Sequence, residues 1–140
     1  MKLKAFSDML QKLRNVEHKL TKEFETGTGF SLTRYEILTF LRDNGDSLQN
    51  TISDYLGIDP AAVTRHLRIL EEKGYVKRER NTENGREIIV SLTDFSRSEL
   101  KKCSKNQKIN ECELPVPFTQ DEIKELMEIL NRMEKRIGED

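Results

Sequence analysis

Tryptophan is absent, proline occurs three times and cysteine twice. No window approaches the ~18 apolar residues that a membrane-spanning helix needs, so no membrane partner is expected. The opening Met1-Lys2-Leu3-Lys4-Ala5-Phe6-Ser7-Asp8 lacks the apolar run of a secretion signal, which points to the cytoplasm. In that reducing compartment Cys103 and Cys112 read as ordinary thiols. They are also too far apart for the Cys-x-x-Cys spacing of zinc sites, and the two histidines, His18 and His66, fall in different segments. Neither a Gly-rich phosphate loop nor a suggestive Ser/His/Asp arrangement is present. These gaps argue against an enzyme and against a metal or other cofactor. A surplus of one charge is missing too: Lys plus Arg number 24 and Asp plus Glu 25, for a formal net charge of -1. Any footprint for nucleic acid must therefore come from local segregation of charge.

What is present is a chain of 140 residues, 35% charged and 35% apolar. That length can bury a real core, and the balance suits helices that each carry one apolar stripe. Leu3, Phe6, Leu10, Leu13, Val16, Leu20 and Phe24 recur at gaps of three and four, which predicts a long first helix ended by Gly27-Thr28-Gly29. Thr33-Arg34-Tyr35-Glu36 has the capping-box pattern and opens a second helix with Ile37, Leu38 and Leu41, closed by Asn44-Gly45.

A third, short helix is predicted from Leu48 to Leu56, with Leu48, Ile52, Tyr55 and Leu56 inward. Gly57 stops it, and Asp59-Pro60 supplies an N-cap followed by a proline in the first helical position. A fourth helix then runs from about Pro60 to Lys73, with Val63, Leu67 and Leu70 inward and Gly74 at its end. Two helices joined by so tight a turn match helix-turn-helix geometry. After them the period changes. Tyr75–Arg80 and Arg86–Leu92 read as strands around Asn84-Gly85, a hairpin-turn dipeptide.

From Thr93 the pattern returns to helix, with Leu100, Cys103, Gln107 and Leu114 at helical spacing before Pro115 and Pro117 interrupt it. Thr119-Gln120-Asp121-Glu122 is a second capping box. Ile123, Leu126, Leu130, Met133 and Ile137 then step by three and four, as in a coiled-coil seam. So small a central domain offers few partners for two long apolar stripes. Leu3, Phe6, Leu10, Ile123, Leu126, Leu130, Met133 and Ile137 are therefore read as a dimerization surface rather than as packing within one subunit.

This order of elements resembles the MarR family of winged helix-turn-helix regulators over nearly the whole chain. The most specific stretch is Val63-Thr64-Arg65-His66-Leu67-Arg68-Ile69-Leu70-Glu71-Glu72-Lys73-Gly74-Tyr75-Val76, followed by Val90-Ser91-Leu92-Thr93 at the exit from the wing. The resemblance implies a mostly α fold with a small β-hairpin wing. It implies a DNA-binding domain at 31–93 and a helical dimerization region at 1–30 and 94–140. It further implies a homodimer that binds double-stranded DNA, with the fourth helix in the major groove and the wing tip near the minor groove. Members usually repress nearby genes, and many are released by a small lipophilic or phenolic effector or by thiol oxidation. Such an effector is an optional partner here. Leu13, His18, Tyr35 and Leu100 fall where its pocket would lie, but nothing marks them specially.

The candidate DNA contacts follow. Arg65 and Arg68 share one helix face opposite Val63, Leu67 and Leu70, and Arg is the usual reader of guanine or clamp of phosphate. Pro60, Ala61, Ala62 and Thr64 form a small first turn that permits close approach to the groove. Gln49, Asn50 and Thr51 either donate to phosphate or cap the third helix, with the two roles evenly balanced. His66 touches phosphate or sits at the helix edge. Arg78, Arg80, Asn84 and Arg86 belong to the wing. Family members often carry an Asp two residues before the wing arginine, and this chain has Asn84 there, so Arg86 is expected to be held less firmly. A polar face with arginines is more often simply solvated; the helix-turn-helix context favours DNA. The competing reading is a winged-helix protein-interaction module without a DNA role. The sign of regulation is left open.

Overall fold

The computed structural model describes residues 1–105 and 113–138. The elements are α1 (Leu3–Thr28), α2 (Leu32–Asn44), β1 (Ser47–Leu48), α3 (Gln49–Leu56), α4 (Pro60–Glu72), β2 (Val76–Arg80), β3 (Ile88–Leu92), α5 (Asp94–Lys105) and α6 (Gln120–Arg136). The architecture is mostly helical with one small antiparallel sheet, a winged helix-turn-helix between long terminal helices. Gln107 and Cys112 lie outside the described residues.

The helix ends follow local chemistry, with three corrections to the sequence expectation. Asp59 occupies the N-cap position of α4, but its side chain makes no capping hydrogen bond. α2 is capped by Ser31, whose hydroxyl accepts from the Arg34 N–H at 3.4 Å, so Thr33 lies inside the helix rather than capping it. Leu48 precedes α3 instead of opening it, because Ser47 and Leu48 pair with β3. The Thr119 box stands as read. Its hydroxyl accepts from the Glu122 N–H, and the Glu122 carboxylate accepts from the Thr119 N–H, both at 3.1 Å. Those bonds hold the Glu122 carboxyl below its ordinary pKa.

The sheet order is β1-β3-β2. In the hairpin Val76 faces Leu92, Arg78 faces Val90 and Arg80 faces Ile88. β1 docks on the other edge, with Ser47 opposite Val90 and Leu48 opposite Ile89. A core forms where the sheet meets the three central helices. Ile37, Leu38, Phe40 and Leu41 enter from α2, Ile52 from α3, and Val63, Leu67 and Leu70 from α4, against Val76, Val90 and Leu92. Tyr55 departs from expectation. It is 69% exposed and lies against the ring of Phe40 at 4.6 Å, on the outside of the domain.

The terminal helices are different. Among the described residues neither α1 nor α6 buries a single side chain. Phe6, Leu10, Leu13, Val16, Ile123 and Leu126 all remain exposed, near 40–46%. Leu130 and Met133 are half-buried, and Ile137 lies just past the end of α6. Leu114 also departs from expectation, since it belongs to no helix. It packs on α1 so closely that a Cβ added at Gly27 would meet its Cδ1 at 2.5 Å. No described helix is long and apolar enough to cross a membrane.

Candidate nucleic-acid interface

The turn between α3 and α4 sets the angle of the polar helix face. Gly57 takes φ +66, a left-handed conformation that costs glycine no Cβ clash. Its N–H and that of Ile58 both donate to the Ser53 carbonyl, at 3.0 and 3.3 Å. The buried Ser53 hydroxyl closes the turn by donating to the Ile58 carbonyl at 2.9 Å. Pro60 then starts α4 without needing its missing N–H.

Three turns of α4 divide cleanly. Val63, Leu67 and Leu70 are fully buried, while Pro60, Ala61, Arg65 and Arg68 are exposed. Among the described residues, no carboxylate forms an ion pair with Arg65, Arg68 or Arg86. These guanidiniums keep their donors for another partner. At the head of the face, Gln49 Nε2 donates to Thr64 Oγ1 at 2.7 Å, and Thr64 Oγ1 donates to the Pro60 carbonyl at 3.0 Å. The structure thus joins two candidate contacts into one strut between α3 and α4. Gln49 Oε1 is left buried without a hydrogen-bond partner among the described residues. Asn50 and Thr51 are exposed at the start of α3.

Two further contacts went unread in the sequence. Arg34 Nε, from the first turn of α2, donates to His66 Nδ1 at 3.4 Å. Burial of the imidazole, then the charges of Arg34 and Arg65, push the His66 pKa down, with Glu25 opposing. Arg34 had no local signal, since its partner is 32 positions away. The second contact concerns Arg78. Its Nη2 pairs with Glu71 Oε1 at 3.2 Å, and its own N–H donates to Glu71 Oε2 at 3.1 Å. These bonds hold the Glu71 carboxyl below its ordinary pKa. Arg78 therefore braces the wing against α4 and differs from Arg65 and Arg68, which have no such partner among the described residues.

The wing tip is organised by hydrogen bonds to backbone groups. Asn81 N–H donates to the Glu87 carbonyl at 2.8 Å, extending the ladder beyond Arg80. Arg80 Nη1 donates to the Gly85 carbonyl at 2.8 Å. Asn84 Oδ1 accepts from the Arg86 N–H at 3.1 Å, and the Asn84 carbonyl accepts from the Glu87 N–H at 3.0 Å. Among the described residues no group of His, Cys, Asp and Glu could hold a metal ion. The four residues considered for an effector pocket lie in three settings. Tyr35 lies against Phe24, Leu100 packs on the core, and Leu13 and His18 are exposed on α1.

Known proteins resemble the chain in this same region and beyond it. The MarR family model matches residues 30–88, which span the helix-turn-helix and most of the wing. An HTH-type transcriptional regulator of Bacillus subtilis, YdgJ, is 34% identical over 132 residues, covering 94% of this chain and 80% of that protein. A DNA-bound structure of reduced AbfR superposes with a TM-score of 0.76 at 23% identity, over 98% of this chain and 96% of that one. A MarR mutant from E. coli, complexed with operator DNA, gives 0.76 at 21% identity, over 95% of this chain and 99% of that one. At those identities the two structures speak for the fold. The curated relative, the family model and the two-faced α4 agree, and the chain belongs to the MarR family of transcriptional regulators, not of enzymes.

Proposed function

We propose that the chain works as a homodimeric repressor on palindromic double-stranded DNA, in the cytoplasm. The observation that carries the DNA contact is α4 itself. One face is sealed in the core, and the other presents Arg65 and Arg68 without a carboxylate partner among the described residues. Arg65 and Arg68 read or clamp the major groove, with Pro60, Ala61, Ala62 and Thr64 against its wall. Gln49, Asn50 and Thr51 set the register on phosphate, and Arg86 enters the minor groove, where a narrow A·T-rich stretch attracts arginine. Arg78, Arg80 and Asn84 support the wing. Residues 31–93 form the DNA-binding domain, and 1–30 with 94–140 the dimerization region. The uncovered stripes of α1 and α6 favour a second copy, and two-fold symmetry suits half-sites about one helical turn apart. A small lipophilic or phenolic effector completes the proposal by releasing the protein from DNA. AbfR and MarR were each seen bound to DNA, which supports the same partner here.

Binding to the gene's own upstream DNA tests this reading. A footprint covering ~6–10 phosphates should weaken by about 10³–10⁵ between 50 and 200 mM salt. Binding that ignores salt, or none at all, overturns it.

A further inference from the structure

Arg86 is bare of ion-pair partners among the described residues, yet its backbone is held on both sides. The peptide unit that precedes it joins Gly85 to Arg86. The oxygen of that unit accepts from Arg80 Nη1 at 2.8 Å, and its N–H donates to Asn84 Oδ1 at 3.1 Å. The unit that follows joins Arg86 to Glu87, and its N–H donates to the Asn84 carbonyl at 3.0 Å. A peptide unit is a rigid plane. Fixing both planes fixes φ and ψ of Arg86, and so the direction in which its Cα–Cβ bond leaves the wing.

We propose that Arg80 and Asn84 are positioning residues that aim Arg86 at the minor groove, with Arg80 acting through the Gly85 carbonyl rather than on DNA. The proposal rests on the DNA-binding reading above. It changes two expectations from the sequence. Arg80 stands there as a DNA contact, and Asn84 as a weaker substitute for a charged partner. A carboxylate would hold the Arg86 guanidinium directly. Asn84 instead holds the Arg86 main chain, for which an amide oxygen serves as well as a carboxylate oxygen. Arg80 adds a charged donor to a neutral carbonyl, a stronger bond than one between neutral groups. The guanidinium of Arg86 then keeps all five donors for bases or phosphates.

The test has two arms on the full chain. In the first, 15N relaxation is measured on the free protein. Arg80→Ala and Asn84→Ala should each raise the fast mobility of the Arg86 and Glu87 amides, while Asn84→Asp, which keeps the acceptor, should leave them as they are. Amides that stay equally rigid in both alanine variants overturn the positioning role, whatever the protein binds. In the second arm, affinity is measured for a duplex that the wild-type protein selects from a random pool. Arg80→Ala should weaken binding about tenfold, and less than about twofold when Arg86→Ala is already present. Costs that multiply independently of Arg86 mark Arg80 as a phosphate contact and overturn the proposal. An Arg86→Ala variant that binds like wild type overturns the aim at the groove. If the wild-type protein selects no duplex, the DNA reading fails, and the relaxation arm still decides whether Arg80 and Asn84 hold Arg86. Unchanged thermal melting of each variant confirms that the fold is intact.

Discussion

Arg34 Nε and His66 Nδ1 meet at 3.4 Å, tying the first turn of α2 to the middle of α4. The bond requires an unprotonated Nδ1, so the proton of the neutral ring sits on Nε2. Burial and the two neighbouring arginines push the His66 pKa below its usual 6.5, whereas Glu25 raises it. Below that value the unfolded chain binds the proton more readily than the folded one. The stability that this site contributes is therefore complete above about pH 6.5 and declines as pH falls toward the lower folded value. Glu36, whose pKa is raised first by burial and then by Glu17, works in the opposite sense and is common to both proteins compared. The stability difference between wild type and His66→Gln should change as pH falls from about 6.5 toward the lower folded value, and stay flat above it. Urea melts at several pH values measure it. A difference that is constant across that range refutes the assignment.

The core prediction is simpler. Leu67 is fully buried on α4, in the core that α4 shares with α2, α3 and the sheet. Leu67→Ala should destabilise the protein by about 2–5 kcal/mol, read from denaturant midpoints at constant slope. A loss under about 1 kcal/mol would contradict the burial of Leu67, because even a fully collapsed site still loses the transfer free energy of the removed carbons.

Arg65 and Arg68 should separate by their sequence dependence. A base-reading arginine costs about 1–3 kcal/mol when truncated and relaxes choice at one position. One that clamps phosphate weakens all duplexes alike and lowers the salt slope by about 1. Selection from a random pool with each alanine variant assigns the two roles. If neither Arg65→Ala nor Arg68→Ala changes affinity or choice, α4 is not the reading element.

Charge placed in the α6 stripe tests assembly. Leu126 is 43% exposed in the single chain, so Leu126→Asp removes little packing within one subunit. It should shift the protein from dimer to monomer in sedimentation and leave the core of residues 31–93 folded. A dimer that survives the change places the interface elsewhere.

The helix-turn-helix was legible because its punctuation is local. Gly57, Pro60 and Gly74 each act within a turn, and the apolar positions of α4 repeat at its own period. β1 was not legible, since two residues carry no period and its partner Val90 lies 43 positions beyond Ser47. Tyr55 has the right spacing for the core, but the Phe40 ring offers it a place on the surface. Ser31 and Thr33 are both good caps, and only the path of the chain into α2 chooses Ser31. In the candidate interface, the apolar period of α4 was enough to leave Arg65 and Arg68 on its exposed face. The diversion of Arg78 to Glu71 and of Arg80 to Gly85 depends on how the hairpin folds back, which no short window contains.

The bare stripes of α1 and α6 also bear on how much protein a cell must make. If a second copy is what covers them, the species that reads DNA forms in proportion to the square of the free subunit concentration. While subunits remain mostly unpaired, halving the supply lowers that species about fourfold. Regulation would then respond to abundance more steeply than in proportion, before any effector is present.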